Sequence, residues 1–172
     1  MRNVEIKARV NDLEKITKIA EEISGSTGKI ITQDDVFYKC SHGRMKMRTY
    51  EDKSATLIRY ERSDKKGPKL SDYTLVNLTA DQAKELHDIL STGLGVRGEV
   101  HKKRTLYMVG QTRVHIDVVE NLGNFMELEV VLTPDQTLEE GQLIAQGLQE
   151  KLYVKNEDLL ECAYIDMLDT PK

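Results

Sequence analysis

A chain of 172 residues, 39% hydrophobic and 31% charged, is long enough to fold as one domain with a real core. Its 25 basic and 29 acidic residues leave a net charge of −4, which argues against a general nucleic-acid binder. No apolar run reaches the roughly 18 residues that span a bilayer. The chain opens on a charged, alternating segment instead of a leader, so a cytosolic protein with neither a membrane nor a nucleic-acid partner is expected, as a monomer or homodimer. Cys40 and Cys162 are far apart, lack CxxC spacing and read as reduced thiols.

Residues 3–10 alternate polar and apolar side chains without a break, the pattern of a two-faced strand. Asn3, Glu5, Lys7 and Arg9 fall on one face, and Val4, Ile6, Ala8 and Val10 on the other. Asn11 or Asp12 then caps a helix carrying Leu13, Ile16, Ile19, Ala20 and Ile23 at helical spacing, which ends over residues 24–28. Residues 30–40 read as a strand, 41–43 as a turn into a strand beginning at Arg44, 51–54 as the next turn and 55–62 as a further strand, an antiparallel meander. The stretch 63–69, with Gly67-Pro68 inside a basic run, is a loop. A strand over 71–77 leads to a helix capped by Thr79 and running to about residue 90, then to a Gly-rich connector over 91–98. Gly93 and Gly95 do not follow a strand and open a helix, so they are not a nucleotide-binding glycine loop. Residues 99–108 and 112–119 form a hairpin about 109–111, and 120–124 turn into a strand over 125–132. Thr137 and Glu140 make a capping box for a helix to about residue 152, and 158–168 is partly helical.

The first strand's charged face recurs. Arg44, Lys46 and Arg48 alternate with methionines, Lys102 and Arg104 lie two apart, Arg113, His115 and Asp117 alternate with Val114, Ile116 and Val118, and Glu127 and Glu129 alternate with Met126, Leu128 and Val130. Surface strands usually dilute charge with Thr, Ser and Gln, whereas these concentrate it, so the charged faces are expected to line a shared interior. The fold class is therefore α+β: an eight-stranded antiparallel tunnel or barrel with a charged interior and helices packed outside. His115 is expected to be a hydrogen-bonded structural residue. Tyr38, Tyr60, Tyr73 and Tyr164 are expected to be packing residues.

The order of segments 3–7, 43–48, 57–62, 100–104, 113–117, 122–129 and 164–168 resembles the CYTH superfamily, the triphosphate tunnel metalloenzymes, which include thiamine triphosphatases, inorganic triphosphatases and class IV adenylyl cyclases. The resemblance covers nearly the whole chain and implies a single tunnel domain over 1–172 that binds a triphosphate with a divalent metal. The family opens on Glu-x-Glu-x-Lys. Here Glu5 and Lys7 match and Asn3 does not, which removes one negative charge while keeping an oxygen donor. The family pattern also selects Arg62 over Arg59 as inward-facing.

With Lys7, Arg9, Arg44, Lys46, Arg48, Arg62, Lys102 and Arg104 facing inward as substrate-binding residues, the interior carries a surplus of about four positive charges over Glu5, Asp117, Glu127 and Glu129. A polyphosphate offsets such a surplus, and Arg forks suit phosphate oxygens. The four carboxylates are the expected ligands of Mg²⁺ or Mn²⁺. Glu5, Lys7 and Glu129 are the expected catalytic residues of a metal-dependent triphosphate hydrolase. Tripolyphosphate is the preferred substrate because the chain has no Trp and only two Phe for stacking a base. A class IV adenylyl cyclase and a non-catalytic polyphosphate or nucleotide binder are the alternatives.

Overall fold

The computed structural model describes residues 2–63 and 65–169; Asp64, inside the expected loop 63–69, lies outside the described residues, as do residue 1 and residues 170–172. Among the described residues eight strands form: Arg2–Arg9 (β1), Lys29–Tyr38 (β2), Arg44–Thr49 (β3), Ala55–Arg62 (β4), Lys69–Leu78 (β5), Val96–Val109 (β6), Thr112–Val119 (β7) and Gly123–Val131 (β8). They close into an antiparallel barrel in the order β1-β5-β4-β3-β2-β6-β7-β8, with β8 returning to β1. The helices are Leu13–Ser24 (α1), Ala80–Gly93 (α2), Leu138–Lys151 (α3) and Tyr164–Asp169 (α4). The α+β barrel expected from the alternation is thus the observed architecture.

The helix ends follow from local chemistry. The Asp12 carboxylate accepts the Lys15 amide, and Thr79 with Gln82 and Thr137 with Glu140 form reciprocal capping boxes. The Gly-rich connector is shorter than expected, because α2 continues to Gly93 and β6 begins at Val96. Gly95, at φ 87°, makes the reversal between them. At 14 residues, β6 is long enough to pair with both β2 and β7 and so joins the two meanders.

The apolar core lies outside the barrel wall. Val4, Ile6 and Ala8 of β1, with Val114, Ile116, Met126, Leu128 and Val130, are covered by Ile16 and Ala20 of α1 and Ala145 and Leu148 of α3. Tyr38, Met47 and Ala55 are covered by Ala83 of α2. Each large aliphatic side chain so buried contributes about 1.5–3 kcal/mol. A Cβ on Gly141 would stand 2.5 Å from Leu132 and 2.6 Å from Val4, so glycine is what lets α3 approach β1 this closely. A third cluster is different. Phe37, Val100, Val119 and Phe125 meet Ala163, Tyr164 and Ile165, so that α4 and the residues before it stopper one end of the barrel. No helix among the described residues is long and apolar enough to cross a membrane.

Candidate functional site

With the apolar faces turned outward, strand periodicity sends the alternate residues into the barrel. They enclose a cavity of about 440 Å³ whose lining includes the cations Lys7, Lys46, Arg48, Arg62, Lys102, Arg104 and Arg113, seven against the four carboxylates Glu5, Asp35, Glu127 and Glu129.

One wall is cationic. The register places Arg48 of β3 opposite Asp35 of β2, and Lys102 of β6 opposite Gln33. Asp35, 1% exposed, accepts Arg48 Nε and Nη2 at 2.8 Å each and Lys102 Nζ at 2.9 Å, and Lys46 Nζ stands 3.4 Å away. Burial pushes the Asp35 carboxyl up, but Arg48, Lys102 and Lys46 outweigh it and hold it well below the usual range. The lysines respond in the opposite sense. Burial, then the neighbouring Arg48, brings the Lys102 amine down to about 7 and that of Lys46 to about 8.

The other wall is mixed. Pairing of β1 with β8 sets Glu5 opposite Glu129 and Lys7 opposite Glu127, and pairing of β7 with β8 sets Arg113 opposite Glu129 and His115 opposite Glu127. Arg62 Nη1 donates to Glu5 at 2.9 Å, and Arg113 Nε donates to Glu129 Oε2 at 2.9 Å. Glu127 receives Lys7 Nζ at 3.1 Å on one oxygen and Arg104 Nη2 at 3.0 Å on the other. Burial and then the Glu129 carboxylate raise the affinity of Glu5 for a proton above that of an ordinary carboxylate. His115 Nδ1 lies 3.8 Å from Glu129 and 3.9 Å from Glu127, both beyond hydrogen-bond range. Among the described residues it is buried without a hydrogen-bond partner, as is Asn3 Oδ1.

At the stoppered end, Tyr164 of α4 donates its hydroxyl to Asp117 at 2.7 Å and presents its ring to Lys7 Nζ, 3.9 Å from the centroid. Arg104 grips the same Asp117 through Nε and Nη2, each at 2.7 Å.

Of the expected site residues, Glu5, Lys7, Lys46, Arg48, Arg62, Lys102, Arg104, Glu127 and Glu129 share the cavity lining. Arg59 points away and pairs with Glu61. Three of the expected residues are not among the cavity lining. Arg9 is exposed, 5.4 Å from the Phe125 ring, because β1 outruns the cavity past the stopper. Arg44 opens β3, two residues before Lys46, where α4 supplies Asp166 at 2.7 Å. Asp117 has the inward parity of His115 but is sealed behind the lining, its carboxylate taken by Arg104 and Tyr164. Among the described residues nothing hydrogen-bonds Nδ1 of His115, and Tyr60, Tyr73 and Tyr164 line the cavity beyond any packing role. Asp35 was not anticipated, and Arg113, on a face expected to turn inward, was not among the expected site residues. Alternation of Gln33, Asp35 and Phe37 with the outward Val36 and Tyr38 carried the signal for Asp35, and Arg113 shares a face with His115.

The donor set of the mixed wall fits a divalent cation. One ligand atom each from His115, Glu127 and Glu129 lies within 4.8 Å of the others, and the crowded carboxylates raise the proton affinity of Glu5.

A protein-family profile described as the CYTH domain matches residues 1–164. No curated protein sequence matches the chain. Among solved structures, the PH1012 protein of Pyrococcus horikoshii aligns with a TM-score of 0.81 at 25% identity, over 95% of this chain and 98% of that one. A conserved hypothetical protein of Pyrococcus furiosus aligns at 0.82 and 20% identity over 95% and 98% of the two chains. A Vibrio parahaemolyticus protein described as a candidate adenylate cyclase aligns at 0.78 and 16% identity over 98% of each.

Proposed function

The chain belongs to the CYTH domain family, and from that premise we propose that it is a divalent-metal-dependent hydrolase of triphosphate compounds, acting on inorganic tripolyphosphate in the cytosol as a monomer or homodimer. The observation that carries this reading is the excess of seven cations over four carboxylates around a cavity of about 440 Å³. An anion of several charges relieves that excess.

Lys46, Arg48, Lys102 and Arg104 bind phosphate oxygens and hold the chain of phosphates in line, the arginines through their planar forks. Lys7 and Arg62 offset charge on the terminal phosphoryl group, where preorganised cations contribute most. Glu129 orients the attacking water, and Glu5 takes up the proton released. Glu5, Glu127 and Glu129 would hold Mg²⁺ or Mn²⁺. Such an ion, when bound, supplies charge neutralisation on phosphate oxygens and acidifies water.

A class IV adenylyl cyclase is the second reading, favoured by one observation. Ile31, Ile58, Leu75, Leu106 and Tyr73 also line the cavity, an apolar surface suited to an organic group attached to the triphosphate. Incubation with tripolyphosphate, ATP and thiamine triphosphate under Mg²⁺, Mn²⁺ or EDTA separates the two. Metal-dependent phosphate release supports the hydrolase, cyclic AMP with pyrophosphate supports the cyclase, and intact substrates overturn both.

A further inference from the structure

We infer that His115 is itself a ligand of the divalent cation, through Nδ1 beside Glu127 and Glu129, so that the site takes a transition-metal ion in preference to Mg²⁺. The inference rests on the reading of the cavity as a metal-assisted triphosphate site and deepens it.

The argument begins with what Nδ1 lacks. The His115 side chain is 6% exposed, and its Nδ1 is buried with no hydrogen-bond partner among the described residues. The groups it faces are two carboxylates, at 3.8 Å and 3.9 Å. If Nδ1 carries a proton, that donor is left unsatisfied at these distances. If it carries a lone pair, the lone pair faces two acceptors. In neither state does Nδ1 make a hydrogen bond in this buried wall, and a cation between the three groups satisfies all of them.

The spacing agrees. Two donors bound to one ion at about 2.1 Å stand roughly 3.0 Å apart when adjacent and about 4.2 Å apart when opposite. The two imidazole–carboxylate separations fall between those limits, and the three ligand atoms lie within 4.8 Å of one another. The placement is a property of the sheet. His115 stands opposite Glu127 in the β7–β8 register, and Glu129 follows two residues later on the same face. Both oxygens of Glu127 also receive cations, Lys7 and Arg104, and Glu129 Oε2 receives Arg113, while Glu129 Oε1 is the oxygen turned to the imidazole.

An imidazole donor changes which ion fits. Mg²⁺ selects oxygen ligands and sheds water reluctantly, whereas affinity for a site with nitrogen rises along the first transition row. Asn3, with a buried oxygen and no charge, further limits the negative field at this cavity.

Electron spin-echo spectroscopy on the full chain loaded with Mn²⁺, with and without tripolyphosphate, reads the ligand directly. A ¹⁴N modulation is expected that converts to a ¹⁵N pattern when only the histidines are ¹⁵N-labelled, a test that leaves the fold untouched. His115→Gln should abolish it and weaken Mn²⁺ binding, by calorimetry, by at least the roughly ten- to hundredfold that loss of an outer-shell partner causes, while moving Mg²⁺ binding much less. Absence of bound Mn²⁺, absence of the nitrogen modulation, or its persistence in His115→Gln overturns the inference. Turnover without nitrogen coupling rejects this ligand and leaves the hydrolase standing. Nitrogen coupling without turnover of any triphosphate does the reverse.

Discussion

Asp35 and Lys102 meet at 2.9 Å on the cavity wall, with side chains only 1% and 2% exposed. Arg48 and Lys46 approach the same carboxylate, so one anion restrains three cations in an otherwise low-dielectric wall.

Because burial and Arg48 hold the Lys102 amine at about 7, much of it is uncharged just above neutrality. A bound polyanion favours the charged form and returns the amine toward its ordinary value. Below pH 7 the proton is already present and binding takes up none. Above it, binding draws a proton from solution, and affinity falls by up to about tenfold per pH unit for each proton taken up. Calorimetry of tripolyphosphate binding at pH 8, in buffers of differing ionisation enthalpy, should show this uptake. Lys102→Arg, charged throughout, should lose the Lys102 share.

Glu129 and Glu127 should separate activity from stability. Glu129→Gln leaves Arg113 partly solvated, so the fold should persist while turnover falls by roughly a hundredfold or more. Glu127→Gln strips the counter-charge from Lys7, 4% exposed, and one of two from Arg104, which keeps Asp117, and should also destabilise the protein, by about 3–5 kcal/mol. Urea denaturation beside a phosphate-release assay checks both; equal stability of the two variants would contradict the pairing.

Asn3→Glu adds a carboxylate two residues before Glu5, whose proton affinity is already raised by crowding. In EDTA the variant should melt below the wild type through like-charge repulsion, and Mn²⁺ should raise its melting temperature by more than it raises the wild type's. Thermal scans in both conditions decide.

Gly141→Ala tests the outer packing. Alanine gains up to about 1 kcal/mol of helix propensity, but its Cβ meets Val4 and Leu132, and overpacking costs about 1–3 kcal/mol. The second effect wins, so the midpoint of denaturation should fall with triphosphate binding unchanged.

Much of this arrangement was legible in the sequence, for a specific reason. An apolar outer face fixes each strand's register, so alternation alone assigned Lys46, Arg48, Lys102, Arg104, Glu127 and Glu129 to the interior. Alternation gives a face and not a depth along the barrel. Arg9, Arg44 and Asp117 have inward parity, yet they lie where α4 intervenes, and nothing in strand periodicity foretells a stopper arriving from residues 163–165. Asp35 was obscured by its neighbour Asp34, since two adjacent acids conceal which one faces inward until Val36 and Tyr38 are assigned outward. The unpartnered state of His115 is a matter of tenths of an ångström and lies beyond sequence reasoning.

With Ala163 and Tyr164 forming its floor, the cavity is a blind bore. An elongated anion enters tip first, and whatever remains of it backs out through the opening it came in by. A polymer longer than the bore keeps its tail in solvent. On the proposed hydrolase reading, such a polymer would be trimmed from its end, one engagement at a time, and not threaded through.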